Sequence, residues 1–132
     1  MVVVVPRLPD EARRLVEGVN FGFLATLMPD GSPQVSPVWV DVDGDYVLVN
    51  TVKSRVKDRN TDRDPRVSIA IADWRNPYKY VEIRGRVVEK TSEGAVEHID
   101  RLAKKYLGIS RFEGPRENRL IWKIRPERVF IR

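Results

Sequence analysis

Cysteine is absent, which excludes disulfides, thiolate catalysis and cysteine metal sites. Histidine occurs once, as His98, so no set of imidazoles exists for a zinc or iron centre. Long apolar runs are missing too: the valines from Val2 to Val5 are stopped at once by Pro6, far short of the roughly 20 residues that span a bilayer. A basic start, a longer apolar stretch and a small-residue cleavage site, the marks of a signal peptide, do not occur. A cytoplasmic protein with no membrane partner is expected. Obvious acid, base and nucleophile sets are equally scarce, so no side chain stands out as catalytic.

What is present is the composition of a globular chain. Hydrophobic residues make up 42% and charged residues 33% of 132 residues, with nine Pro and eight Gly, which fits one domain over residues 1–132. The net charge of +5 is unevenly placed. Residues 1–50 hold three basic and seven acidic side chains, 51–110 fourteen and nine, and 111–132 seven and three. Basic charge begins abruptly at Lys53, which suits an anionic ligand near that point better than a uniformly basic nucleic-acid surface. The strands carry no evident RNA-binding aromatic motif, so nucleic acid is not an expected partner.

Along the chain, Ala12, Leu15, Val16 and Val19 recur at helical spacing between Pro9 and Val19, with Asp10 and Glu11 in the first turn. Phe21 to Met28 and Gln34 to Val42 read as strands joined across Pro29, Asp30 and Gly31. Asp43 and Gly44 then lead into Tyr46 to Thr51, and a three-strand meander is the simplest reading. Ser54 is placed to cap a short helix to about Arg63, which Asp64 and Pro65 stop. Val67 to Ala72 and Tyr80 to Glu89 are further strands, separated by a loop over Asp73 to Pro77, and Gly85 marks a bend or bulge. Ser92 to Leu107 is the clearest helix, with Val96, Ile99, Leu102, Ala103, Tyr106 and Leu107 on one face and Glu97–Arg101 and Asp100–Lys104 pairs outside. His98 lies off that stripe and is expected at the surface without a role. Leu120 to Ile131 is the last strand. The fold class is therefore mainly β, about six antiparallel strands with three helices.

The segment from Asn50 to Asn60 is the informative one. Arg55 and Lys57 would sit in the first turn of the helix, where the macrodipole makes cations unfavourable. A phosphate would offset this by accepting both the free N–H groups of the helix start and the two cationic side chains. On its own, a run with five basic and two acidic residues from Lys53 to Arg63 also fits solvated side chains on a surface helix.

Several stretches together resemble the pyridoxamine 5′-phosphate oxidase-like split-barrel superfamily, and especially its small flavin- and deazaflavin-dependent reductases. They are Phe23 to Leu27 (FLATL), Asp30 to Trp39 (DGSPQVSPVW), Val47 to Thr51 (VLVNT), Arg55 to Arg66 (RVKDRNTDRDPR), Val67 to Ile71 and Val81 to Val87 (VEIRGRV). The resemblance implies a six-stranded antiparallel split β-barrel with flanking helices, working as a homodimer with FMN or the deazaflavin coenzyme F-420 at the subunit interface. It places the phosphate on Arg55 and Lys57, beside Val56. Gln34, Val35 and Ser36, with Val49, Asn50 and Thr51, would line the ring or ribityl part, and Trp74 or Tyr78 would come from the partner subunit.

The implied activity is hydride transfer to or from a small-molecule substrate, with the coenzyme and not a side chain supplying the chemistry. A carrier, storage or sensor protein that binds flavin without turnover is the other reading of the same site. The C-terminal RPERVFIR does not match the substrate-binding Trp and Arg pair of the vitamin-forming oxidases, so pyridoxamine phosphate oxidation is not expected. Trp39 and Trp122 are expected in the core or at a dimer contact.

Overall fold

The computed structural model describes residues 2–4 and 7–132; Met1, Val5 and Pro6, and with them the stop to the valine run, lie outside the described residues. In chain order the elements are β1 (Val2–Val4), α1 (Asp10–Glu17), β2 (Gly22–Leu27), β3 (Pro33–Val38), β4 (Asp41–Asp43), β5 (Tyr46–Val52), α2 (Val56–Arg63), β6 (Arg66–Asp73), β7 (Asn76–Thr91), α3 (Ala95–Leu107) and β8 (Arg119–Ile131). All strand pairings are antiparallel, in the order β3-β2-β6-β7-β8-β5-β4, with β1 added beside β8.

Turn chemistry sets the hairpins. Between β2 and β3, Gly31 takes a φ of 85°, and the Asp30 carboxylate accepts from the Ser32 N–H and hydroxyl. That is the side-chain turn mimicry Asp is suited to. Between β4 and β5, Asp43 pairs with Tyr46 across a two-residue loop in which Gly44 has a φ of 60°.

Both hairpins of the expected meander form, β2–β3 and β4–β5, but its middle strand is broken in two. β3 and β5 lie far apart in the sheet, because the stretch read as one strand from Gln34 to Val42 is cut at Trp39 and Val40. There the Val40 N–H donates to the Tyr106 hydroxyl at 3.0 Å, and the Val40 carbonyl accepts from Lys105 Nζ at 2.9 Å. Side chains of α3 thus take backbone groups that a ladder would need, and the chain turns. This break and the addition of β1 raise the strand count to eight.

The same break closes the barrel. β3 and β4 are the two edges of the sheet, yet only two residues separate them in sequence. Three Cα steps reach at most about 11 Å, so the edges must approach each other and the sheet must curl. The curl has a hinge at Gly85, where the register with β8 shifts and a Cβ would stand 2.2 Å from the Arg125 carbonyl oxygen. Only glycine fits that approach.

Inside, Leu24, Ile69, Ile71, Val81, Ile83, Val49, Trp122 and Ile124 form the core, plugged at one end by Ala12, Leu15 and Val16 of α1. Val19 falls beyond α1 and is exposed, and the loop expected over Asp73 to Pro77 is a tight hairpin with Trp74 and Arg75 at its tip. Among the described residues, no helix is long and apolar enough to cross a membrane.

Candidate functional site

The start of α2 is built differently from the Ser54 cap read in the sequence. Ser54 adopts the left-handed conformation with a φ of 71°, and Arg55 occupies the capping position with no side-chain cap bond. Asp58 reaches back instead, accepting the Ser54 N–H at 2.8 Å, because its buried carboxylate already faces Lys90 Nζ at 2.7 Å. Lys90 also pairs with Asp62 Oδ1 at 2.7 Å, so loss of Asp58 leaves it one carboxylate but frees the Ser54 N–H. Asp58→Ala is therefore expected to cost about 1–3 kcal/mol in denaturant unfolding, and a loss below about 0.5 kcal/mol would show the pair to be dispensable.

Beyond this helix start lies a pocket of about 340 Å³. Arg55, Lys57 and Arg119 line it, and among the described residues no acidic side chain does. Phe21, Trp39 and Phe112 are its large rings, and the Arg119 guanidinium lies 4.8 Å from the centre of the Phe112 ring, so cations and rings meet on one wall. Burial pushes the Lys57 ammonium below its ordinary pKa, and the charges of Arg55 and Arg119 push it further. Arg119 is lowered in the same way, by burial first and Arg55 second. Three like charges held together without an acid are an unsatisfied arrangement, which an anion would relieve.

The rings continue as a row. Phe112 meets Trp39 edge-on at 5.7 Å between centroids, Trp39 stacks on Tyr106 at 5.2 Å, Tyr106 stacks on Phe21 at 5.7 Å, and Phe21 meets Trp74 edge-on at 6.0 Å. Asp100 secures the wall that carries Phe112: its carboxylate accepts the Phe112 N–H and pairs with Arg116, not with the expected Lys104.

Asn50 sits between the pocket and a buried network. Its Nδ2 donates to the Ala95 carbonyl at 2.9 Å and to His98 Nδ1 at 3.0 Å, which uses both amide hydrogens. His98 then carries its proton on Nε2 and donates to Asp41 Oδ2 at 3.0 Å, an assignment that follows from the network. Burial opposes ionisation of Asp41, but the His98 bond and the Val42 N–H outweigh it and hold the carboxyl below its ordinary pKa. The Asn50 oxygen accepts from Arg119 Nη1 at 3.4 Å. His98 is thus fully buried, contrary to its expected surface position. It shares the inner face of α3 with Ala95, Ile99 and Leu102, and Asp41 and Asn50 supply the partners that make an imidazole tolerable there. Leu107, assigned to that face, is exposed.

Of the residues singled out in the sequence, Asn50, Arg55 and Lys57 line this one pocket. Val56 is exposed on the same helix, while Val49 is fully buried in the core and presents only backbone outward. Gln34, Val35 and Ser36 lie just before the lining residues Pro37 and Val38 on edge strand β3. Thr26 Oγ1 donates to Gln34 Oε1 at 3.1 Å, and Val35 is exposed. Ser36 Oγ and Thr51 Oγ1 are buried without a hydrogen-bond partner among the described residues. Trp74 and Tyr78 are 74% and 87% exposed on the β6–β7 hairpin, and Trp74 lines a separate cleft of about 680 Å³.

Four of the charged or aromatic lining residues escaped the sequence reading. Phe21, Trp39 and Phe112 carried no signal beyond being aromatic. Arg119 lies 64 positions from Arg55 in the chain, and only the β5–β8 register, which sets Val52 opposite Arg119, brings them together.

Comparison with known proteins agrees with this architecture. An F-420 reductase structure matches with 31% identity and a TM-score of 0.83, over 93% of this chain and 98% of that one. A conserved hypothetical protein of Mycobacterium tuberculosis matches at 23% identity and a TM-score of 0.72, over 96% and 84%. A candidate pyridoxamine 5′-phosphate oxidase of Listeria innocua matches at 22% and 0.72, over 92% and 95%. The family model described as pyridoxamine 5′-phosphate oxidase matches residues 8–132. With nearly the whole length matched by that model, the chain belongs to the pyridoxamine 5′-phosphate oxidase family of split barrels.

Proposed function

We propose that this chain binds a flavin-type coenzyme, FMN or the deazaflavin F-420, with its phosphate on Arg55 and Lys57, and transfers a hydride to or from a small molecule. The observation that carries the reading is the composition of one pocket: three cations without an acid, lined together with flat rings. A molecule with a phosphate and a conjugated ring is complementary to both. Membership in a family whose fold holds flavins, and likeness to an F-420 reductase, support the same reading. The coenzyme supplies the hydride chemistry when bound. The chain binds the phosphate, shields the ring and orients it. Titration of the purified protein with FMN and with F-420, followed by absorbance and fluorescence, is expected to show micromolar or tighter binding of one; binding of neither would end the proposal. Multiple turnovers on a panel of quinones and nitroaromatics with reduced coenzyme separate an enzyme from a flavin carrier.

A pocket at the small end of the range for ligand sites holds one part of such a coenzyme. A second copy of the chain would complete the wall. Phe23 and Val35 are 50% and 60% exposed, the β2–β3 register puts both on the outer face of the hairpin, and Phe23 shares a cleft with exposed Trp74. Gln34 and Val35 of one protomer, with Trp74 or Tyr78 of its partner, are proposed to line the ring at that junction. Light scattering is expected to give twice the 15.3 kDa chain mass, and Phe23→Glu with Val35→Glu to give the single mass. A monomeric wild-type protein would contradict the shared site.

A further inference from the structure

We propose that Arg119 is a third anchor for the same phosphate, which rests on the reading of this pocket as a coenzyme phosphate site. Arg119 is only 5% exposed, yet among the described residues no carboxylate pairs with it. A guanidinium taken out of water needs a compensating charge or a full set of acceptors. The protein supplies only part of one. Nε donates to the Pro115 carbonyl at 2.8 Å, Nη1 donates to Asn50 Oδ1 at 3.4 Å, and the guanidinium carbon lies 4.8 Å from the centre of the Phe112 ring. Arg has five N–H donors, so these contacts fix the plane of the group and leave three donors without an acceptor among the described residues.

The contacts that fix it are themselves braced. Asn50 is locked by Ala95, His98 and Asp41, and Phe112 by Asp100, so Arg119 is held at the pocket wall from two sides. Its nearest charged neighbours in the pocket are Lys57 and Arg55, both of like sign. A planar fork fixed in this way, beside two other cations, is matched to a phosphate oxygen pair, whereas a neutral ring edge would leave the charge uncompensated. The ligand class assigned to Arg119 is therefore the coenzyme phosphate and not the ring.

The test compares Arg119→Gln and Arg119→Lys with the wild type, using FMN and riboflavin as one pair of probes and F-420 and its phosphate-free deazaflavin as the other. In whichever pair binds the wild type, Arg119→Gln is expected to weaken the phosphate-bearing probe at least tenfold and to leave the phosphate-free probe within about twofold. Arg119→Lys, which keeps the charge but loses the fork, is expected to fall between. Equal losses for both members of a pair would show that Arg119 only supports the wall, and no loss for either would remove it from the site; both results overturn the inference. Failure of all four probes to bind the wild type would instead overturn the coenzyme reading on which it rests. Combining Arg119→Gln with Arg55→Ala is expected to give a loss different from the product of the two single losses, since the two groups share one ligand.

Discussion

Replacing Arg55 and Lys57 together by alanine is expected to raise the dissociation constant for the phosphate-bearing coenzyme by about 10²- to 10⁴-fold. Hydrogen bonds to a charged partner contribute roughly 1.5–3 kcal/mol each, and 1.4 kcal/mol is a factor of ten, so two lost anchors give about that range. The same substitution has a second consequence of opposite sign. Without ligand, Lys57 is pushed toward its neutral form by burial and by the charges of Arg55 and Arg119. Removing two of three mutually repelling cations relieves that arrangement, so the ligand-free variant is expected to unfold at the same temperature as the wild type or higher. Sites selected for binding often carry such a local penalty. Tighter or unchanged binding with a less stable apoprotein would show that these cations serve the fold.

The largest effect on stability is expected at Trp122. It is fully buried in the barrel, opposite Val49 on β5 and Lys90 on β7, with the Lys90 ammonium 4.8 Å from its ring centre. Trp122→Ala removes the largest core side chain and leaves a cavity, a loss of about 3–5 kcal/mol. Small domains have only about 5–15 kcal/mol to lose, so the melting temperature should fall by on the order of 15 °C. Trp122→Phe should be much milder, because the indole N–H has no partner among the described residues and its removal breaks no bond. Calorimetry reads both variants; an alanine variant within about 1 kcal/mol of the wild type would place the core elsewhere.

Much of this fold was legible in the chain because local rules agree with it. Helices α1 and α3 and the principal strands follow apolar spacing and turn residues, α2 was legible only through the stop at Asp64 and Pro65, and Gly85 announced its bulge because a close backbone approach leaves no alternative residue. The strand order was not legible. A meander is the default when hairpin signals follow one another, and its middle strand breaks here because Tyr106 and Lys105, some 65 residues away, take the backbone groups of Val40. His98 was misplaced for a related reason: its partners Asp41 and Asn50 come from other elements, and no spacing along α3 reveals them. The cations of the pocket were half visible. Arg55 and Lys57 stand out beside a helix start, whereas Arg119 reaches them only through strand register.

The most direct measurement compares each coenzyme with its counterpart lacking the phosphate. Equilibrium fluorescence titration of the wild-type protein with FMN against riboflavin isolates that one group while the ring stays the same, and F-420 against its phosphate-free deazaflavin removes the phosphate together with the tail it carries. In the pair that binds, the phosphate-bearing form should bind at least about 100-fold more tightly, as expected for loss of two charge-assisted anchors. Equal affinities within a pair would contradict the account, because the cations of the pocket would then contribute nothing to holding the ligand.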